Sequence, residues 1–279
     1  MLARNLNARL LSLLLLATRG LGLLLSPVIV FKTKEAVASA LCRDVLAVGA
    51  AAIASRGKFT LAVPGGSVLK MLGHLQAQPD KDAIDWSKVF LYYVNHKIVP
   101  GDDPSSTHFK AEGLFIKALG LPMCNVAQLA SASNGAMGHD SAAHDYQKQI
   151  ALHVATKGST GLPQFDYMLL GMGADGHIGS LYPGRREVLS STTSEHVLTV
   201  DKKQPASITL SLPVMNAARE IRMVLVGADK KEAALIGVTK SKAPGQFPVC
   251  GIEGAKWMLD EDAGRLCVER QVPGLQRVG

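Results

Sequence analysis

Residues 89–94 read Val-Phe-Leu-Tyr-Tyr-Val, a run that is apolar nearly throughout. A strand with one solvated face alternates apolar and polar side chains, whereas a strand covered on both faces does not. Further β-rich runs alternate along the chain with helical stretches. The predicted strands also include residues 28–31, 58–63, 165–170, 207–212 and 221–226, and the predicted helices are residues 34–56, 68–76, 106–119, 140–155 and 229–236. This order predicts a three-layer α/β fold, in which a mostly parallel, Rossmann-like sheet carries helices on both faces.

The chain has 279 residues without a linker-like tract, so residues 27–279 are predicted to form a single domain. Residues 1–26 differ, because they are leucine-rich, contain three arginines and precede the first acidic residue, Glu35. The apolar run at residues 10–17 is too short to cross a bilayer, which needs about 20 residues. A transit peptide, a secretory signal and an ordinary helix all fit this composition. The absence of acids favours a cleaved targeting leader, for a plastid before a mitochondrion, with a cytoplasmic protein as the alternative.

The formal net charge is +7, and setting aside the three leader arginines leaves +4. This modest surplus suits a protein that handles anionic metabolites. The lysines are spread along the chain instead of forming a basic stripe, so no nucleic-acid binding is expected. No membrane attachment of the mature chain is expected either. The four cysteines show no metal-ligand spacing, which predicts buried thiols, no disulfide framework and no metal site.

A turn of Pro64, Gly65, Gly66 and Ser67 lies between a predicted strand and a predicted helix. Adjacent glycines let the backbone approach an anion closely, and a helix start offers free N–H groups. The Ser67 hydroxyl adds a further donor. An ordinary tight turn is the alternative, and these four residues alone favour that alternative.

The glycines at 171, 173 and 176 follow another predicted strand in the spacing of a dinucleotide-binding turn. That turn must open a helix long enough to cross back over the sheet. Pro183 and Gly184 end any helix here within about two turns. A nicotinamide-dependent oxidoreductase is therefore only a distant candidate, and no cofactor is expected.

His177 follows these glycines at the sheet edge where parallel α/β proteins bind their ligands. An imidazole titrates near neutral pH and can take a proton from water, so His177 is a candidate general base. The seven other histidines lie mostly in helical or polar stretches, and each is predicted to be a solvated surface residue.

Residues 165–184, FDYMLLGMGADGHIGSLYPG, are close to the signature FD-x-x-LLGMG-x-DGH-x-x-SLFPG of the 6-phosphogluconolactonases. Residues 61–67 are similar to the phosphate loop of that family, and residues 99–107 resemble its VP…DSN segment. Residues 208–219, ITLSLPVMNAAR, resemble its last core motif, with Lys230 shortly after it. The chain therefore resembles this family, within the superfamily of the glucosamine-6-phosphate deaminases, from about residue 28 to about residue 263.

The resemblance implies hydrolysis of 6-phospho-D-glucono-1,5-lactone in the oxidative pentose phosphate pathway. The deaminases carry Asn-Glu-Pro-Gly where this chain has Leu-Tyr-Pro-Gly at residues 181–184, and the missing glutamate favours the lactonase branch. The implied partner is a phosphosugar lactone, and an association with pentose phosphate dehydrogenases is left open. No metal or cofactor is implied.

The resemblance also assigns roles to individual residues. His177 is the residue that activates water, and Asp175 shapes the turn beside it. The backbone around Gly173 and the amine of Lys97 stabilise the oxyanion. The phosphate-binding and other substrate-binding residues are Gly65, Gly66, Ser67, Asn95, Gly176 and Lys230.

Three positions depart from the family pattern. Its Asp-Glu-Arg appears here as Asn95, His96 and Lys97, a later arginine is Ser207, and the Thr-Pro after the phosphate loop is Val-Leu at residues 68–69. Two guanidiniums have become one amine and one hydroxyl, and lysine lacks the forked contact of arginine.

These departures predict a working lactonase that binds its substrate weakly. A catalytically inactive paralogue, which binds a phosphosugar or a protein partner, is the alternative. Arg185 and Arg186 offer replacement charges, although a solvated surface pair is an equally good interpretation of them.

Overall fold

The structure, a computed structural model, describes residues 27–129, 139–189 and 195–278, so the predicted leader at residues 1–26 lies outside the described residues. The strands of its main sheet are β1 (Val28–Phe31), β2 (Phe59–Val63), β3 (Val89–Tyr93), β7 (Tyr167–Leu170), β10 (Ile221–Leu225), β11 (Lys256–Asp260) and β12 (Leu275–Val278). These seven strands are all paired in parallel, in the order β12-β1-β11-β10-β7-β2-β3.

The two faces of the sheet carry two separate hydrophobic cores. On β7, Met168 and Leu170 belong to one core, whereas Tyr167 and Leu169 belong to the other. The second core includes side chains of the helices α1 (Lys34–Arg56), α2 (Gly66–Met71) and α3 (Thr107–Ala111). The first core includes side chains of the helices α4 (His139–His153), α6 (Leu212–Ala217), α7 (Lys231–Thr239) and α8 (Glu261–Glu269). Helices therefore cover both faces, which confirms the predicted three-layer α/β fold.

Helix α1 begins and ends where its sequence provides caps. The Thr33 hydroxyl accepts a hydrogen bond from the Ala36 N–H at 3.2 Å, and Gly57 adopts the left-handed conformation that closes many helices. The helix is long and apolar enough to cross a membrane by length and composition. In this fold its apolar side chains, such as Leu41 and Val45, are buried in the second core.

A smaller antiparallel sheet lies beside the main one. It contains β4 (Asn95–Lys97), β8 (Val197–Val200) and β9 (Ser207–Leu210), in the order β4-β9-β8. The predicted strand at residues 207–212 is confirmed over residues 207–210, and it pairs in antiparallel fashion in this smaller sheet instead of joining the parallel one. The strand ends at Leu210 because Ser211 and Pro213 begin helix α6, and its partner β4 is a three-residue polar strand. The short strands β5 (Thr156–Lys157) and β6 (Leu162–Pro163) form a separate hairpin.

Two predicted helices are less regular than expected. Helix α2 ends at Met71 and continues as a 3₁₀ helix over Leu72–Ala77. Ser106 caps α3, because its hydroxyl accepts a hydrogen bond from the Phe109 N–H at 3.4 Å. Beyond Ala111 the chain continues as a π-helix over Glu112–Ile116. The remaining helix, α5 (Arg186–Leu189), has a single turn.

Candidate active site

The predicted site residues emerge at one edge of the sheet. Strands β10, β7, β2 and β3 are consecutive neighbours, so their carboxyl ends place residues 227–230, 171–177, 65–67 and 95–97 at the same edge. Gly171 and Val68 lie close together, because a methyl group added to Gly171 would be 3.1 Å from Val68 Cγ2. Such an edge is where ligands bind in parallel α/β sheets.

His177 and Asp175 form a direct pair. Asp175 Oδ1 lies 2.6 Å from His177 Nδ1 and accepts a second hydrogen bond from the His177 backbone N–H at 3.2 Å. Burial opposes ionisation of Asp175, but the hydrogen bonds from His177 outweigh it and lower the pKa of Asp175 below its ordinary value of 3.8. An ionised Asp175 that accepts the Nδ1–H leaves the lone pair on Nε2, the nitrogen that a general base requires.

The glycines around this pair are required by close contacts. A Cβ atom on Gly173 would lie 2.1 Å from His177 Nδ1 and 2.5 Å from Asp175 Oδ1. Gly176 has φ +84°, and a Cβ there would lie 2.5 Å from the Phe247 ring. The Gly173 N–H donates to the His177 carbonyl at 2.9 Å. That N–H is thus already engaged, which removes it from the predicted oxyanion-stabilising groups.

Tyr182 packs against the imidazole. The ring centroids of His177 and Tyr182 are 4.8 Å apart, with an angle of 35° between the planes. Tyr182 is half-buried, and the His177 side chain is 29% exposed. The imidazole is therefore held by Asp175 at Nδ1 and by Tyr182 on its face, while part of it remains open to solvent.

Asn95 and Ser207 meet at a third side chain, Ser180. The Asn95 amide donates to Ser180 Oγ at 3.2 Å, and the Ser207 hydroxyl donates to the same oxygen at 2.9 Å. Lys97 lies directly opposite Ser207 in the pairing of β4 with β9. The structure thus places two of the three departures from the family pattern, residues 95–97 and Ser207, next to one another, and Ser180 links them in a way that the sequence alone did not predict.

His96 and His108 are buried, so the prediction that they are solvated surface residues was wrong. His96 Nδ1 lies 2.6 Å from the Lys97 carbonyl, and the His108 N–H donates to His96 Nε2 at 3.3 Å. His108 Nδ1 in turn pairs with the Tyr93 hydroxyl at 2.9 Å. This pattern fits a neutral His96 that donates from Nδ1 and accepts at Nε2.

Burial determines the charge state of both rings. Desolvation, opposed by the hydrogen bond to the Lys97 carbonyl, lowers the pKa of His96 from 6.5 to about 4. Desolvation also lowers the pKa of His108. Two neutral histidines therefore hold β4 against the start of α3, where Thr107 lies beside Gly65 of the predicted phosphate turn.

The predicted phosphate ligands lie on both sides of β7. Gly66 and Ser67 are exposed, and Gly66 has φ +76° in the turn that opens α2. Lys230 ends a short 3₁₀ helix after β10, and its amine pairs with Asp229 at 3.1 Å. No hydrogen bond or ion pair within the described ranges joins Lys230 to Ser67. The fold brings them to one edge without a direct contact.

Arg185 already has two acidic partners. Its guanidinium is 2.8 Å from Glu187 and also pairs with Asp201. These carboxylates make Arg185 a structural link between α5 and the loop after β8. The structure therefore does not support Arg185 as a replacement for the missing positive charge. Arg186 is exposed, as expected of a surface residue.

The cysteines and the possible metal ligands were the remaining groups to locate. All four cysteines are free thiols, and three are buried as predicted, but Cys124 is exposed. Within residues 27–129, 139–189 and 195–278, no group of three or more His, Cys, Asp or Glu side chains is arranged to hold a metal ion.

Comparisons with known proteins agree with this architecture. Residues 32–259 match the family model described as glucosamine-6-phosphate isomerases/6-phosphogluconolactonase. The chain is 35% identical over 212 residues to a probable chloroplastic 6-phosphogluconolactonase 4 of Oryza sativa subsp. indica, covering 74% of this chain and 64% of the rice protein. It is 36% identical over 236 residues to the 6-phosphogluconolactonase of Mycobacterium tuberculosis, covering 81% of this chain and 92% of that protein.

A solved structure shares the fold. The 6-phosphogluconolactonase of Trypanosoma brucei superposes with a TM-score of 0.75 at 24% identity, covering 87% of this chain and 99% of the other. At that identity the likeness establishes the α/β fold alone. The chain spans slightly less than two thirds of the rice relative, at 64% of its length.

Proposed function

The chain belongs to the glucosamine-6-phosphate isomerase/6-phosphogluconolactonase family, and we propose that it hydrolyses 6-phospho-D-glucono-1,5-lactone to 6-phosphogluconate. The relatives named 6-phosphogluconolactonase in rice and in Mycobacterium tuberculosis support this substrate. The observation that carries the proposal is the Asp175–His177 pair, held in a glycine-rich turn at the ligand-binding edge of the sheet.

In the proposed mechanism His177 acts as the general base. Its Nδ1–H is donated to Asp175 at 2.6 Å, so Nε2 takes the proton from a water molecule that attacks the lactone carbonyl. The new C–O bond forms as the carbonyl π electrons move to oxygen. Collapse of this oxyanion expels the ring oxygen, which takes the proton back from His177 Nε2, and the new carboxylic acid then loses its own proton to solvent. A lactone is an activated ester, so no nucleophilic serine or cysteine is required.

The remaining predicted residues bind the two ends of the substrate. Gly65, Gly66, Ser67 and Lys230 hold the phosphate. Lys97 is half-buried, and its amine stabilises the developing oxyanion. Asn95 contributes through its hydrogen bond to Ser180. Gly176 contributes the backbone geometry that its positive φ permits.

A non-catalytic paralogue is the second candidate, because one observation favours it. Ser207 occupies the position of a family arginine, and its hydroxyl donates a hydrogen bond to Ser180. The site therefore has less positive charge for an anionic substrate than the family pattern provides. The intact Asp175–His177 pair favours the enzyme.

The decisive assay follows acid release from freshly prepared lactone, with the uncatalysed opening subtracted. We expect turnover by the wild-type protein and a decrease in kcat of about 10²- to 10⁴-fold in His177→Ala, the range for removal of a general base. His153→Ala is the matched control, since His153 lies on α4 and packs on Phe90, away from this edge. Wild-type protein that binds 6-phosphogluconate without hydrolysing the lactone would support the paralogue instead.

For the location of the protein we propose the plastid. The rice relative is named chloroplastic, and residues 1–26 of this chain lack acids. A fluorescent protein fused to residues 1–26 should enter plastids, whereas diffuse cytosolic fluorescence would favour the cytoplasm.

A further inference from the structure

The loop between β8 and β9 carries a lysine to the edge of the candidate active site. Strands β8 and β9 pair in antiparallel fashion, and the last rung joins Val200 to Ser207. Residues 201–206 therefore form a hairpin loop. Within this loop the Lys203 amine lies over the ring of Tyr182, 5.1 Å from its centroid. The same ring packs against His177, with the ring centroids 4.8 Å apart, so the ammonium and the imidazole contact one aromatic ring.

The base of this loop is fixed on both sides. Asp201 pairs with Arg185, and the Ala206 carbonyl accepts a hydrogen bond from the Ile98 N–H at 2.8 Å. Lys203 itself is exposed and has no carboxylate partner in the part of the chain that the structure describes. A cation over an exposed aromatic face is held weakly, so an anion next to the ring competes for it effectively. Because both ends of the loop are fixed, Lys203 stays near His177, while the Lys203 side chain remains free to change partner.

Hydrolysis changes the charge at the end of the substrate that faces His177. A lactone carbonyl is neutral, but it becomes an oxyanion during attack and a carboxylate in the product. The phosphate is already assigned to the turn at residues 65–67 and to Lys230. Because Lys203 and His177 contact the same ring, the lactone carbon attacked beside His177 is the part of the substrate nearest to Lys203, and Asp175 already pairs with His177.

We propose that Lys203 is a substrate-binding residue that leaves the face of Tyr182 to bind the negative charge formed at the hydrolysed carbonyl. This inference rests on the proposed lactonase function. It assigns Lys203 to the developing oxyanion and the product carboxylate, and not to the phosphate. Lys202, the preceding residue, is also exposed and has no hydrogen bond or ion pair within the described ranges, which makes it a matched control.

The test compares Lys203→Ala, Lys203→Arg and Lys202→Ala with the wild-type protein by calorimetry and by steady-state kinetics. The two titrated ligands are 6-phosphogluconate and glucose 6-phosphate, which share the phosphate but differ in the carboxylate. Lys203→Ala should weaken binding of 6-phosphogluconate about 10-fold, the effect of one charge-assisted contact, and leave glucose 6-phosphate unchanged. It should also lower kcat with little change in KM, since the charge arises only during reaction.

Lys203→Arg should recover most of both properties, and Lys202→Ala should match the wild type. Equal weakening of both ligands would assign Lys203 to the phosphate and overturn the proposal. Unchanged binding and kcat in Lys203→Ala would overturn it as well, as would an equal effect of Lys202→Ala, which would indicate general charge attraction. If the wild-type protein shows no turnover but Lys203→Ala selectively loses 6-phosphogluconate affinity, the lactonase proposal fails and the binding role of Lys203 stands.

Discussion

Replacing Gly173 by alanine perturbs the candidate catalytic pair without altering either of its members. A Cβ at this position would lie 2.1 Å from His177 Nδ1 and 2.5 Å from Asp175 Oδ1. Non-bonded heavy atoms rest at about 3.5 Å or more, so the imidazole must move away by roughly 1.4 Å or turn aside. Gly173 does not have positive φ, so alanine introduces this clash without backbone strain.

The structure sets the expected size of the effect. The 2.6 Å contact between Asp175 and His177 is lost once the ring moves. A hydrogen bond to a charged group contributes about 1.5–3 kcal/mol, and each 1.4 kcal/mol corresponds to a tenfold change in rate. Gly173→Ala should therefore lower kcat by about 10- to 150-fold. The Asp175 and His177 side chains are 54% and 29% exposed, so both can turn toward solvent. The unfolding free energy should change by less than about 1 kcal/mol, or roughly 2–4 °C in Tm.

The assay is the lactone turnover measurement, combined with thermal unfolding of the same preparation. Gly171→Ala is the matched control, because its added methyl group would meet only Val68 Cγ2 at 3.1 Å. A shift of a few tenths of an ångström relieves that contact, so this variant should retain most of its activity. Wild-type kcat in Gly173→Ala, at an unchanged Tm, would refute the requirement for the Asp175–His177 contact.

Three further predictions address the remaining features of the site. The pKa of His96 is about 4 in the folded protein and 6.5 in the unfolded chain, so between these pH values the folded state binds fewer protons than the unfolded state. The free energy of unfolding should therefore fall by up to about 3 kcal/mol as the pH drops from 6.5 to 4. His96→Gln should flatten this dependence in melting curves, and an identical pH slope would contradict the assignment. Ser207→Arg or Lys97→Arg should lower KM severalfold with kcat nearly unchanged, since each restores a forked cation that attracts the anionic substrate in the ground state and the transition state alike. An unchanged KM for both variants would contradict weakened substrate binding. Removal of residues 1–26 should leave kcat, KM and solubility unchanged, and loss of soluble protein would show that these residues belong to the fold.

The predicted architecture followed from local patterns that survive in the tertiary structure. The strand at residues 28–31 and the helix at residues 34–56 have the predicted bounds, because an apolar β-rich run and a capped helix are encoded by neighbouring residues. The small antiparallel sheet was missed. Its strand β4 has three polar residues, and it forms only because β9, more than a hundred positions later, supplies the hydrogen-bonding partner.

For the site, the sequence alone predicted His177, Asp175 and the glycine-rich turns as candidates, since the residues of each motif lie within a short continuous segment. It also identified the substitutions at Asn95, Lys97 and Ser207. The tertiary structure alone decided what surrounds them, namely the link through Ser180, the burial of His96 and the approach of Lys203 to Tyr182. These contacts join residues that are distant along the chain, and burial depends on how whole elements pack. A local pattern specifies an element and the chemistry that it carries, whereas the packing of elements specifies each group's neighbours, charge state and access to solvent.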